Sequence, residues 1–173
     1  MKWKSWAPAT LLTASLVAGM TPTARAMGSM TIVKQATAGA YRLVLKIGPA
    51  QRMAMGHPKH GEVMLHGQVA TCSFSGNMGM SGSSKGARGC NHHIELHVYN
   101  RKSGKVVTTA VVTMVMVDSR RHTRITVPIM AMMGAGLGMK DYHYGNNVYA
   151  GAGTYTVRVA VDKTATTFTI QLM

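Results

Sequence analysis

The segment Asn91-His92-His93-Ile94-Glu95-Leu96-His97-Val98-Tyr99 sets two imidazoles and a carboxylate at every second position. On a strand, His93, Glu95 and His97 share one face, and Ile94, Leu96 and Val98 share the other. Two imidazoles and a carboxylate are a ligand set for a divalent transition metal. The plainer alternative is a solvated polar face on an amphipathic strand. His93 and His97 lie about 13 Å apart along a strand at ~3.3 Å per residue, so all three side chains on one ion would be strained. Two of them joined by groups from another segment is the easier arrangement.

Methionine is the second source of donors, with 16 in the chain. Met114 and Met116 lie inside the apolar run from Val111 to Val117 and read as core. Met53, Met55, Met78, Met80 and Met139 lie among Gly, Ser, Pro and His, and Met130, Met132 and Met133 precede His143. Thioethers beside imidazoles suit copper, Cu(I) above all. His57, His60 and His66, near Met53 and Met55, could form a second capture loop, but their spacing matches no regular ligand pattern and favours surface residues.

The elements that would hold these groups read as strands. Tyr41 to Ile47 alternates and stops at Gly48-Pro49; Glu62 to His66 is short and bounded by glycines. His92 to Tyr99 is expected to pair with Lys105 to Val107 across a hairpin-type loop, Val111 to Val117 with Thr123 to Ile129, and Thr154 to Val161 with Thr166 to Leu172. Three segments lack strand character: Ala50 to Gly61, Ser73 to Gly89, and Met130 to Asn147. The expected fold is all-β, an antiparallel β-sandwich of seven to eight strands with binding residues on its loops. Gly151-Ala152-Gly153-Thr154-Tyr155 has the form of a tyrosine corner.

Met130-Ala131-Met132, then Asp141-Tyr142-His143-Tyr144-Gly145-Asn146-Asn147, then Gly153-Thr154-Tyr155 together resemble the periplasmic iron-transport (Fe2+ transport) protein family. Ile47-Gly48-Pro49-Ala50-Gln51-Arg52-Met53 resembles that family's strand-end proline followed by Met, and His93-Ile94-Glu95 its His-x-Glu strand. The matches keep the family's order from about Tyr41 to Leu172. The resemblance implies a cupredoxin/immunoglobulin-like sandwich, often dimeric, that binds copper and acts with an inner-membrane permease in iron uptake. His93, Glu95, Met132 and His143 then fall at ligand positions, with Met53 an additional ligand. The loop before His143 is longer than the family's, so Met133 or Met139 could replace Met132, and Tyr142 stands where the family has Gly-Pro. A histidine that the family carries in a C-terminal extension has no counterpart here; His97 could supply it, or the site is incomplete or completed by a partner subunit.

Composition agrees with export. Lys2 and Lys4, the apolar stretch Ala7 to Met20, and Ala24-Arg25-Ala26 read as a signal peptide over residues 1–26, cleaved after Ala26, leaving one domain over 27–173. Cys72 and Cys90 are the only cysteines. An exported chain favours a disulfide between them over free or metal-bound thiols.

The chain carries 19 Lys+Arg against 5 Asp+Glu. The cations are scattered without an aromatic-interleaved stripe, which argues against nucleic acid and fits an acidic exterior, where carboxylates are protonated. No Ser/His/Asp order, phosphate loop or carboxylate pair for acid/base work is visible, so the chain reads as a binding protein and not an enzyme. The expectation is a periplasmic copper-site protein, with Fe2+ as the alternative metal, that handles iron or copper with a membrane permease. An exported structural or adhesive sandwich is the competing reading.

Overall fold

The structure, a computed structural model, describes residues 32–69, 72 and 89–173. The proposed signal segment and its cleavage site at Ala26 lie outside them, as does most of the Met/Gly/Ser segment between the cysteines. The chain is an antiparallel-rich β-sandwich, with eleven strands among the described residues where seven to eight were expected.

The larger sheet holds β1 (Ile32–Ala38), β2 (Tyr41–Pro49), β3 (Met53–Ala54), β4 (Glu62–Gly67), β5 (His92–Asn100), β8 (Met130–Gly134) and β9 (His143–Val148), in the order β1-β2-β5-β9-β8-β4-β3. The smaller holds β6 (Val112–Asp118), β7 (Arg124–Val127), β10 (Gly153–Val161) and β11 (Thr164–Leu172), in the order β11-β10-β6-β7. Every pairing is antiparallel except the short β3–β4 contact.

Period-two alternation builds the core. Leu43, Leu45 and Ile47 of β2 and Ile94, Leu96 and Val98 of β5 meet Met114 and Met116 of β6, Val157 and Val159 of β10, and Phe168 and Ile170 of β11. Each fully buried side chain of this size contributes about 1.5–3 kcal/mol relative to exposure. The Tyr155 hydroxyl donates to the Gly151 carbonyl (2.9 Å), closing the tyrosine corner as expected.

Two readings of the sequence need correction. Met130 to Asn147 is no loop: it forms β8, a one-turn 3-10 helix (Gly138–Asp141) and β9. All six β9 residues are buried. A strand covered on both faces has no polar/apolar alternation to read. Lys105 to Val107 forms no full strand but folds back on the end of β5 as expected, bridging Tyr99 at Val106. The Asn100 N–H donates to the Lys105 carbonyl (2.8 Å) and the Val107 N–H to the Val98 carbonyl (2.8 Å), while β2 and β9 flank β5 over His92 to Leu96.

Candidate metal centre

The strand alternation that sends Ile94, Leu96 and Val98 into the core turns His93, Glu95 and His97 to the opposite face of the larger sheet. Registers show what joins them. Glu95 stands opposite Gly145 on β9 and His93 opposite Asn147, which puts His143 on the same face. Met132 on β8 is opposite His143, Glu62 on β4 is opposite Gly134, Met53 on β3 is opposite Glu62, and Lys46 on β2 is opposite Glu95. Five strands besides β5 therefore deliver side chains to one face.

Glycines shape the ground beneath them. Gly145 sits between the donors without a side chain, and a Cβ there would lie 1.8 Å from the Ile94 carbonyl oxygen. At Gly134 a Cβ would lie 2.6 Å from Asp141 Oδ2, which accepts the Gly134 N–H (3.1 Å). Gly61, at φ +87°, packs against the Arg52 carbonyl, and that carbonyl accepts the Glu62 N–H (2.7 Å), fixing where β4 begins.

His93, His97, His143 and Met132 are at most 1 % exposed, with Glu95 at 4 % and Glu62 at 6 %. Their donor atoms form two overlapping groups, Glu62, His93, Glu95, His143 and Glu95, His97, Asp141, His143; within each, the atoms lie within 4.8 Å of one another. Two imidazoles are held in one tautomer. Gln51 N–H donates to Asn147 Oδ1 (3.0 Å) and Asn147 Nδ2 donates to the Gln51 carbonyl (2.7 Å), which orients the amide. His93 Nδ1–H then donates to Asn147 Oδ1 (2.8 Å), and His143 Nδ1–H donates to the Asp141 carbonyl (2.7 Å). Both Nε2 lone pairs face the cluster, and neither atom has a hydrogen-bond partner among the described residues. Glu62 Oε2 is likewise buried without one, 3.6 Å from His143 Nε2. An imidazole tied at Nδ1 and open at Nε2 is the form that metal-ligating histidines take. His97 differs: its Nε2–H donates to Glu95 Oε2 (3.1 Å).

The electrostatics separate the two glutamates. Burial, with Glu95 and Asp141 nearby, pushes the Glu62 carboxyl up to about 8, against the pull of Lys46. Burial pushes Glu95 up as well, but the His97 hydrogen bond, His143, His93 and Lys46 outweigh it and hold that carboxyl down at about 2. Burial and then His143 bring His93 down to about 4, and burial also lowers His143. Without a metal, His93 and His143 are therefore held neutral, Glu95 ionised and Glu62 protonated at neutral pH, a set that can accept a metal on loss of one proton.

Of the residues singled out in the sequence, His93, Glu95, His97 and His143 meet, and Met132 lies fully buried on the same face. Met53 is half-buried beside Glu62 in register. Met133 packs against the core and Met139 is exposed, whereas Met132, opposite His143, and Met130, opposite Gly145, are the buried β8 methionines on the donor face. His57, His60, His66 and Met55 are exposed. Cys72 and Cys90 are joined as a disulfide, with Cα atoms 5.3 Å apart.

Glu62 and Asp141 escaped the sequence reading, yet a signal existed. The chain has 5 acidic residues, and three of them, Glu62, Glu95 and Asp141, converge here. The other two hold backbone: Asp118 accepts the N–H groups of Arg120 and Arg121, and Asp162 that of Val111.

The fold and this cluster define an all-β sandwich with a buried histidine–carboxylate group of metal-ligating form on one sheet. No family model matches the chain, and no curated protein matches it in sequence. Among solved structures it is similar to FetP of uropathogenic Escherichia coli strain F11, in the copper-bound form of a variant with one glutamate changed to glutamine. The likeness has a TM-score of 0.50 at 12 % identity, covering 81 % of this chain and 94 % of that one. At that identity the similarity is one of fold.

Proposed function

We propose that this chain is an exported metal-binding protein whose centre holds copper, and that it handles copper or iron in the periplasm for an inner-membrane permease. The observation that carries the reading is the pair of buried Nε2 lone pairs on His93 and His143, locked toward Glu62 and Glu95 by hydrogen bonds at Nδ1. Buried polar atoms without partners are costly, and a metal ion would satisfy these two and Glu62 Oε2 together. Imidazole and carboxylate suit Cu(II), and the Met132 thioether adds a soft donor that suits Cu(I). The copper-bound state of the similar FetP variant supports this choice of metal. Export is supported by the Cys72–Cys90 disulfide, which belongs to oxidising compartments. Iron as cargo, the permease and a homodimer follow from the family resemblance, and the chain acts in this reading as a carrier without catalysis.

Calorimetric titration of the purified mature protein with Cu(II), Cu(I) and Fe(II) tests it. Wild type is expected to bind copper stoichiometrically, and His93→Ala or His143→Ala to lower affinity by at least a hundredfold. Equal binding by wild type and both variants would overturn the assignment. For the transport role, cells lacking the protein should take up less radiolabelled copper or iron than the parent; unchanged uptake of both refutes it.

A further inference from the structure

We infer that Lys46 occupies the position of a second cation and restricts the centre to one metal ion. The inference rests on the metal-binding reading above and concerns what limits it. Lys46 Nζ lies 3.5 Å from Glu95 Oε2 and 3.5 Å from Asp141 Oδ1. Glu95 is shared by both donor groups, whereas Asp141, like His97, belongs to the second alone, away from His93 and Glu62. His97 Nε2 lies 3.1 Å from Glu95 Oε2 and 4.0 Å from Asp141 Oδ1, so imidazole and ammonium converge on the same pair of acids. His143, whose Nε2 is buried and unpartnered, belongs to both groups. This half of the cluster has the donors of a metal site, with the lysine head group standing at its two carboxylates.

Charge counting gives the same answer. Glu62, Glu95 and Asp141 supply three negative charges once all are ionised. One divalent ion and one ammonium balance them. A second divalent ion beside Lys46 would leave two uncompensated positive charges in a largely buried site, which is strongly unfavourable. The ammonium is built into the sheet: Lys46 pairs directly with Glu95 across β2 and β5, and its stem lies between Val33 and Glu95 in register. Removing the charge leaves Glu95, His97 and Asp141 facing one another without a cation, and His97 can exchange its Nε2 proton for a metal.

Equilibrium dialysis against Cu(II), with metal counted by mass spectrometry, tests this on the mature protein. Wild type and Lys46→Arg are expected to hold one equivalent, and Lys46→Met and Lys46→Gln to hold one more. Adding Asp141→Asn to Lys46→Met should remove the extra equivalent without removing the first. Circular dichroism identifies any variant that does not fold, and either neutral substitution suffices. If folded Lys46→Met or Lys46→Gln holds the same number of ions as wild type, the inference fails while the metal-binding reading stands. If the extra ion survives Asp141→Asn, it lies elsewhere and the inference also fails. If wild type itself binds no copper, the underlying reading is what has failed.

Discussion

Glu62 is a carboxyl whose ionisation the fold opposes. An ordinary carboxyl releases its proton near 4.5, whereas here the proton stays on to about 8. The unfolded chain has already lost it between those values. Glu62 therefore contributes fully to stability below pH 4.5 and loses that contribution as pH rises toward 8. His93 works the other way: lowered to about 4, it contributes fully above 6.5 and loses that contribution as pH falls. Glu62→Gln should raise metal-free stability at pH 8 by about 1–3 kcal/mol and change it little at pH 4, as thermal unfolding at both pH values would show. Metal displaces the Glu62 proton, so apparent copper affinity should climb about tenfold per pH unit below 8 and flatten above it. A pH-independent binding constant between 6 and 8 would contradict this. Asn147 has a different part, because it decides which nitrogen of His93 is open. Asn147→Ala should weaken copper binding about 10–100-fold while His93 remains in place.

At the scale of elements, β5 and β9 show what the sequence revealed and what it hid. The His-x-Glu-x-His strand was legible because one face is core and the other polar, which writes a period of two into the residues. The same alternation exposed β2, β6, β10 and β11. In β9 both faces are covered and the pattern vanishes, so only the motif around His143 marked it. Glu62 and Asp141 were not read as ligands for another reason: Glu62 is a single acid far along the chain from His93, and Asp141 stood only as the start of the motif around His143. Only the β4–β8 register and the 3-10 turn bring them in. On β9, Gly145 also lies too close to the β5 backbone to carry a side chain. Gly145→Ala should cost about 3 kcal/mol or more and reduce copper binding with it, measured by denaturant unfolding and dialysis, because a Cβ would meet the Ile94 carbonyl. A variant as stable as wild type would show that the strands can part freely.

The described residues surround an acidic centre with a basic exterior. Three of the 5 carboxylates are in the cluster, while the described Lys and Arg, Arg42 and Lys46 apart, are exposed. A positive field repels an approaching aquo-cation, and salt screens it with a Debye length of about 10 Å at 0.1 M. Stopped-flow capture of aqueous Cu(II) should therefore quicken as salt rises from about 10 mM to 0.2 M, whereas capture from an anionic copper–citrate complex should slow. Rates that ignore salt in both cases would show that the global field does not reach the entry route.

The donors and the hydrophobic core occupy alternate residues of the same strands, on opposite sides of one sheet. For protein engineering this makes the two nearly orthogonal sets of positions. Ile94, Leu96 and Tyr144 can be varied to tune the scaffold, and His93, Glu95 and His143 to retune metal preference, with little cross-talk along β5 and β9. Gly145, among the donors but pressed against the Ile94 carbonyl, is the exception and the position to keep fixed in any such library.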